Sequence, residues 1–193
     1  MSPEVFAIVV MGVSGSGKST IAAMLAARLG WTYEDGDWFH PRANVEKMHA
    51  GVPLTDEDRW PWLYAIAAAI DDARRSASHV VIACSALKRA YRDILRDGRN
   101  DVRFVYLKGD QKLIAHRMSL REGHFMPSTL LDSQFAALEE PGHDEKPIVV
   151  SIDAHPRAVV DTILTRLGGG AVSAEQRRPP GGSPPHPIGR ASS

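Results

Sequence analysis

A single cysteine, Cys84, leaves nothing for an internal disulfide and suits a reducing compartment. Nor is either charge in surplus. The chain has 23 Lys and Arg against 23 Asp and Glu, so no global field draws it to nucleic acid or to an anionic membrane. No apolar run reaches the about 20 residues needed to cross a bilayer. The first residues lack the basic start and long apolar stretch of a signal peptide. A cytoplasmic protein without nucleic-acid or membrane partners is expected. No internal repeat stands out at a solenoid period. From Gly168 onward aromatics are absent and large aliphatics scarce, while Gly, Pro, Ser and Arg dominate. Such a segment buries too little apolar surface to offset its ordering entropy. Residues 168–193 are therefore expected to be a disordered tail on a single domain, 1–167. At 44% hydrophobic the chain has material for a real core.

What is present centres on Gly12-Val13-Ser14-Gly15-Ser16-Gly17-Lys18-Ser19, a complete match to the phosphate-binding pattern G-x-x-x-x-G-K-[ST]. The flanks fit as well. Val5–Met11 is a continuous apolar run of strand length, and Ile21, Leu25 and Leu29 recur at helical spacing. Successive backbone N–H groups in such a loop wrap phosphate oxygens, and side chains at the glycines would crowd the wrap. The helix that follows adds the positive end of its dipole. Lys18 would bridge the β- and γ-phosphates of ATP, and the Ser19 hydroxyl would ligate Mg²⁺. The expected ATP-binding set is Gly12, Val13, Ser14, Gly15, Ser16, Gly17, Lys18, Ser19 and Thr20.

Along the rest of the chain apolar runs alternate with helical patterns. Gly30 closes the first helix. Trp31–Tyr33 is a short β-prone run, and a short helix is expected around 43–50. Thr55 and Asp58 read as a capping box, so the next helix starts there or at Pro61 and runs to about Arg75. His79–Cys84 is a third strand and Val102–Leu107 a fourth, with a helix around 88–97 between them, closed by Gly98. Helices are expected at 111–122 and 128–139, a fifth strand at Ile148–Ile152, and a last helix from Pro156 to about Leu167. Strands separated by helices imply an α/β three-layer sandwich, a five-stranded parallel sheet with helices on both faces. Ligands of such sheets sit beyond the strand C-termini, so 12–19, 35–40, 84–89, 108–110 and 153–156 should converge.

The second layer of chemistry follows from that convergence. Asp35-Gly36-Asp37 lies at the end of strand two. Transfer of a phosphoryl group to an alcohol needs a carboxylate to take the hydroxyl proton and another to hold hydrated Mg²⁺. Asp37 is assigned to the acceptor and Asp35 to the metal; the plainer alternative is an Asp-Gly turn. Neither strand three nor strand four runs into an aspartate: Cys84-Ser85 follows one, Lys108-Gly109-Asp110 the other. That speaks against the large motor and GTPase classes and for a small-molecule kinase. Arg117 and Arg121 share a helix face. With Gly123 nearby they read either as a lid around 117–135 that closes over the triphosphate or as a solvated basic face. Asp153 and His155, after strand five, either border the adenine or make a strand–helix turn.

Several stretches resemble the gluconate kinases of the P-loop type. They are Met11–Ser19, Asp35-Gly-Asp-Trp-Phe-His-Pro41, Asn44–Met48, Gly51-Val-Pro-Leu-Thr-Asp-Glu-Asp-Arg-Trp-Pro-Trp-Leu63, Cys84–Lys88, Tyr91–Asp93, Tyr106–Gly109, Arg121-Glu-Gly-His-Phe125 and Ser133–Pro141. The resemblance covers roughly residues 5–167 and leaves out the tail. It implies a nucleoside-monophosphate-kinase-like fold, a homodimer, and ATP-dependent phosphorylation of D-gluconate to 6-phospho-D-gluconate, feeding the pentose phosphate route. The related shikimate kinases imply that Asp37 and Arg59 flank the acceptor and that Arg117 packs near the adenine. A sugar acid's carboxylate suits a guanidinium, so Arg59, Lys88 and Arg121 are its candidate partners. His40, His124 and Gln134 either hydrogen-bond the polyol or are structural. Lys18, Asp37 and Arg121 are the expected catalytic groups. The rival readings are another small-acceptor kinase, such as a shikimate or nucleoside monophosphate kinase, and a nucleotide-binding regulatory module without turnover.

Overall fold

Ala7–Met11 is buried at every position, and the strand pleat sends its residues alternately into two separate cores. Ile8 and Val10 face one layer of helices, whereas Ala7, Val9 and Met11 face the other. The computed structural model that shows this describes residues 5–119 and 128–168, with side chains described from 131 onward in the second stretch. The tail beyond Gly168 and the centre of the expected lid lie outside the described residues.

The strands are β1 (Ala7–Met11), β2 (Thr32–Asp35), β3 (Val80–Ala83), β4 (Val102–Lys108) and β5 (Ile148–Ser151), all parallel in the order β2-β3-β1-β4-β5. The central strand β1 pairs Ala7 with Val80 on one side and with Val102 on the other. The helices are α1 (Lys18–Leu29), α2 (Arg42–His49), α3 (Asp56–Arg75), α4 (Arg89–Arg96), α5 (Gln111–Ser119), α6 (Ser128–Ala137) and α7 (Pro156–Gly168). Ile21, Leu25, Ile114, Leu131, Val160 and Ile163 bring α1, α5, α6 and α7 onto one face of the sheet. Leu63, Ile66, Ile70, Tyr91 and Leu95 bring α3 and α4 onto the other. This is the three-layer α/β sandwich the alternating pattern implies.

Local differences from the sequence reading have physical causes. Trp31 precedes β2 instead of opening it: its ring stacks on His79 with centroids 4.7 Å apart. Strand β2 ends at Asp35, and Gly36–Phe39 forms one 3₁₀ turn. Helix α3 starts at Asp56, with Pro61 inside it. The Thr55 hydroxyl accepts from the Asp58 N–H at 3.3 Å, and the Asp58 carboxylate accepts from the Thr55 N–H at 2.9 Å, which fixes the start. Helix α4 is capped by Asp97 in the left-handed region at φ 47°, one residue before the expected Gly98; Asp tolerates that conformation better than most residues.

A buried ion pair that the sequence reading did not foresee joins α4 to the short 3₁₀ turn His143–Glu145. Arg92 Nε and Nη2 donate to the two Glu145 oxygens at 2.6 and 2.9 Å, with side chains only 1% and 2% exposed. Arg92 Nη1 also donates to the carbonyls of Ala86 and Leu87 at 3.1 and 3.2 Å. The Gly142 N–H donates to Glu145 at 2.9 Å. The pair therefore clasps the segment after β3 that carries Lys88.

Candidate active site

The phosphate-binding loop leaves β1 and enters α1 with two backbone demands that only glycine meets without strain. Gly12 lies at φ 148°, and a Cβ there would stand 2.8 Å from Ser16 Oγ and 3.0 Å from the Leu107 carbonyl oxygen. Gly17, the N-cap of α1, lies at φ 92°. Ser16 Oγ is buried and has no hydrogen-bond partner, an unsatisfied polar atom inside the cradle. A loop of this shape fits a polyphosphate: its glycines keep the walls free of side chains, and the α1 N-terminus sits at its end.

Lys18 folds back on the loop and donates from Nζ to the Val13 carbonyl at 3.0 Å. Burial lowers its pKa, against the pull of the Asp37 and Asp35 carboxylates, which stand close enough to raise it. Cys84 itself is fully enclosed, and that desolvation pushes its thiol up to about 12, so it is a neutral wall of the site.

Asp35, the last residue of β2, is the hub of the next layer. Its Oδ2 accepts from Ser19 Oγ and from the Tyr33 hydroxyl, each at 3.0 Å, and its Oδ1 accepts from the Asp37 N–H at 3.1 Å. A serine hydroxyl and a carboxylate side by side at the phosphate loop fit Mg²⁺, which takes oxygen donors and binds through one or two protein ligands with phosphates and water completing the shell. Thr20, next along α1, is exposed. Asp37 projects from the 3₁₀ turn with its side chain 87% exposed. The turn is anchored from behind, because Trp62 Nε1–H on α3 donates to the Gly36 carbonyl at 2.7 Å.

Arg59 and Lys88, from different elements, meet at one carboxylate. Lys88 Nζ lies 2.9 and 2.8 Å from the two oxygens of Asp56, and Arg59 Nη1 lies 3.6 Å from Asp56 Oδ1. The Tyr91 hydroxyl also donates to Asp56. Both cations lie over the Tyr91 ring, Arg59 Cζ at 5.9 Å and Lys88 Nζ at 5.6 Å from its centroid. The Lys88 and Tyr91 hydrogen bonds hold the Asp56 pKa below the usual carboxylate range. Two cations against one carboxylate leave the cluster one positive charge in excess. No local pattern in the sequence assigns Asp56 or Tyr91 a role at the site, although both lie in stretches that carry the family resemblance.

On the far side, Arg117 Nη2 donates to the Ile152 carbonyl at 2.7 Å, which puts α5 against the segment after β5. Asp153 and His155 are both exposed there. Their local contacts are those of a strand–helix turn: the Asp153 N–H donates to Ser151 Oγ at 3.2 Å, and His155 Nδ1 accepts from the Arg157 N–H at 3.3 Å. Gln134 lies at the phosphate loop: its Oε1 accepts from the Ser14 N–H at 2.6 Å. His40 packs behind Asp37 with its side chain 6% exposed. Arg121 and His124 lie outside the described residues.

A family model described as an AAA domain matches residues 8–141. The gluconokinase of Gluconobacter oxydans (strain 621H) is 48% identical over 157 residues, which cover 81% of this chain and 88% of that protein. The thermoresistant gluconokinase of Escherichia coli (strain K12) is likewise 48% identical over 157 residues, covering 81% of this chain and 90% of that protein. The crystal structure of a gluconokinase from Sinorhizobium meliloti 1021 superposes with a TM-score of 0.78 at 43% identity, covering 87% of this chain and 93% of that one. Identity of this order, spread over a shared fold and most of each chain, is family membership: the chain belongs to the gluconokinase family of P-loop kinases.

Proposed function

We propose that this protein transfers the γ-phosphoryl group of ATP to the primary hydroxyl of D-gluconate, giving 6-phospho-D-gluconate and ADP. The observation that carries the reading is the meeting, at one end of the sheet, of a phosphate loop, a carboxylate pair and a cationic cluster. D-gluconate is complementary to all three, with a hydroxyl to be phosphorylated at one end and a carboxylate at the other. In this reading Lys18 draws charge from the migrating phosphoryl group. Asp37 receives the acceptor's proton as its oxygen attacks the γ-phosphorus and the bond to the β-phosphate bridge breaks. Arg59 and Lys88 hold the carboxylate, Arg59 with two parallel N–H donors. Ser19 and Asp35 would hold Mg²⁺, whose charge would offset that of the phosphates. Arg117 borders the adenine. Residues 117–135 serve as the lid, with Arg121 closing on the triphosphate and His124 on the polyol. Gln134, seated on the Ser14 N–H, belongs to the nucleotide side.

The finer organisation is part of the same reading: a kinase domain at 1–167, a tail at 168–193 that takes no part in catalysis, a homodimer, and a cytoplasmic location. Among the described residues no helix is long and apolar enough to cross a membrane. A coupled assay with ATP, Mg²⁺ and a panel of acceptors tests the activity. Turnover is expected with D-gluconate and not with glucose, shikimate or nucleoside monophosphates. Turnover only with another acceptor would reassign the substrate, and ATP binding without turnover on any acceptor would revive the regulatory-module reading. Sedimentation of the purified chain tests the dimer.

A further inference from the structure

His40 stands behind Asp37 in a setting that selects one of its two neutral forms. Its ring lies flat on Trp62, with centroids 4.3 Å apart and planes 13° from parallel. Nε2 faces Asp37 Oδ1 at 4.0 Å, and Nδ1 lies 3.4 Å from Asn44 Nδ2. Burial and the nearby Arg59 disfavour the imidazolium, Asp37 favours it, and the net effect keeps the pKa of His40 below its ordinary value.

Asn44 decides which ring nitrogen carries the proton. It is 4% exposed, and the same Nδ2 donates to the Asp58 backbone carbonyl at 2.7 Å. A carbonyl only accepts, so the atom facing it is the amide nitrogen and not the amide oxygen. The second hydrogen of that nitrogen is directed to His40 Nδ1, which must therefore present its lone pair. The ring proton is left on Nε2, the nitrogen that faces Asp37. Asp58 is itself fixed as half of the α3 capping box and by Lys47 Nζ at 2.6 Å. The chain of partners thus starts from a rigid helix terminus.

We propose that Asn44 and His40 are positioning residues for phosphoryl transfer: the Asp58 carbonyl fixes Asn44, Asn44 fixes the Nε2–H form of His40, and that N–H orients the Asp37 carboxylate toward the acceptor hydroxyl. The proposal rests on the reading of Asp37 as the proton acceptor. His40 keeps its proton throughout; the proton that moves goes from the acceptor hydroxyl to Asp37. An exposed carboxylate on a short turn samples several rotamers, and a single N–H behind it restricts them. A separation of 4.0 Å in the free enzyme is of the kind that tightens to a hydrogen bond once substrate fills the site.

Two replacements of His40 separate positioning from packing. His40→Phe keeps the stack on Trp62 and removes the N–H, whereas His40→Gln loses the stack and places an amide N–H near the position of Nε2. Positioning predicts that His40→Phe lowers kcat with D-gluconate by about tenfold to a hundredfold, with both KM values within about twofold, and that His40→Gln recovers most of the loss. A purely structural role predicts the reverse order, with Phe the better replacement, and that order overturns the proposal. So does a His40→Phe enzyme with wild-type kcat. The second readout needs no turnover: ¹⁵N spectra of the histidine-labelled free enzyme should show His40 as Nε2–H, with that preference lost in Asn44→Ala. An Nδ1–H ring in the wild type overturns the relay. Failure of the underlying reading carries its own mark, because Asp37→Asn would then keep most of its turnover whatever His40 does.

Discussion

Lys18 and Arg59 both offer a cation to an anion, but the geometry asks different things of them. Lys18 is tethered to the Val13 carbonyl and enclosed by the loop. In the proposed reaction it acts as a point charge on the phosphates, so Lys18→Ala should lower turnover by orders of magnitude while the far-UV spectrum and melting temperature stay near wild type. Near-normal turnover in the folded variant would remove the nucleotide site from this loop. Arg59 is asked for shape. Arg59→Lys keeps the charge but gives up the parallel donor pair, and a charge-assisted hydrogen bond is worth roughly 1.5–3 kcal/mol, about ten- to a hundredfold in kcat/KM. The loss should fall on D-gluconate and leave the KM for ATP unchanged; the opposite split would assign Arg59 to the nucleotide. At this scale the sequence was legible where a local pattern carries the chemistry, as in the phosphate loop and the Asp-Gly-Asp stretch. Where a partner lies far along the chain it was not. Asp56 meets Lys88 and Gln134 meets Ser14 only because helices separated in sequence land on the same sheet.

Among the elements, α4 shows how a buried charge serves a site it does not touch. Arg92 satisfies Glu145 and the carbonyls of Ala86 and Leu87, and the segment so held leads into Lys88. Arg92→Met leaves Glu145 buried and uncompensated, a loss of about 3–5 kcal/mol. Adding Glu145→Met should restore only part of it, because the two carbonyls still lack their donor. Thermal melts of the single and double variants measure both figures. Full recovery in the double variant would show that the carbonyl contacts contribute nothing. Periodicity alone could not expose this pair: Arg92 reads as one more charge on a short helix, and Glu145 lies in a loop. The capping box of α3, by contrast, was legible because both of its partners lie within one turn of chain, and it overrode the alternative start at Pro61.

For the whole molecule, the five strands and most helices follow from alternating apolar runs and helical spacing, while the strand order does not. Polar β2, Thr32–Asp35, suits an edge, but β1, β3, β4 and β5 are all apolar enough for the interior, and only packing puts β1 between β3 and β4. The described fold ends with Leu167 buried and Gly168 exposed at the end of α7. Removing 169–193 should therefore leave melting temperature within about one degree and kcat unchanged, because the removed composition cannot build a core. A drop of several degrees on truncation would mean that the tail docks on the domain.

The central place of β1 also bears on how the protein is made. Ala7 finds its partners at Val80 and Val102, the Gly12 N–H donates to the Ser85 carbonyl, and the Leu107 carbonyl walls the same loop. β1 must therefore wait for β3 and β4, which are made much later, and among the described residues no hairpin offers an early start. A growing chain has the P-loop sequence long before it has the P-loop. If ATP is the nucleotide, as proposed, it would recognise only the finished cradle and would draw late intermediates toward the native state by mass action.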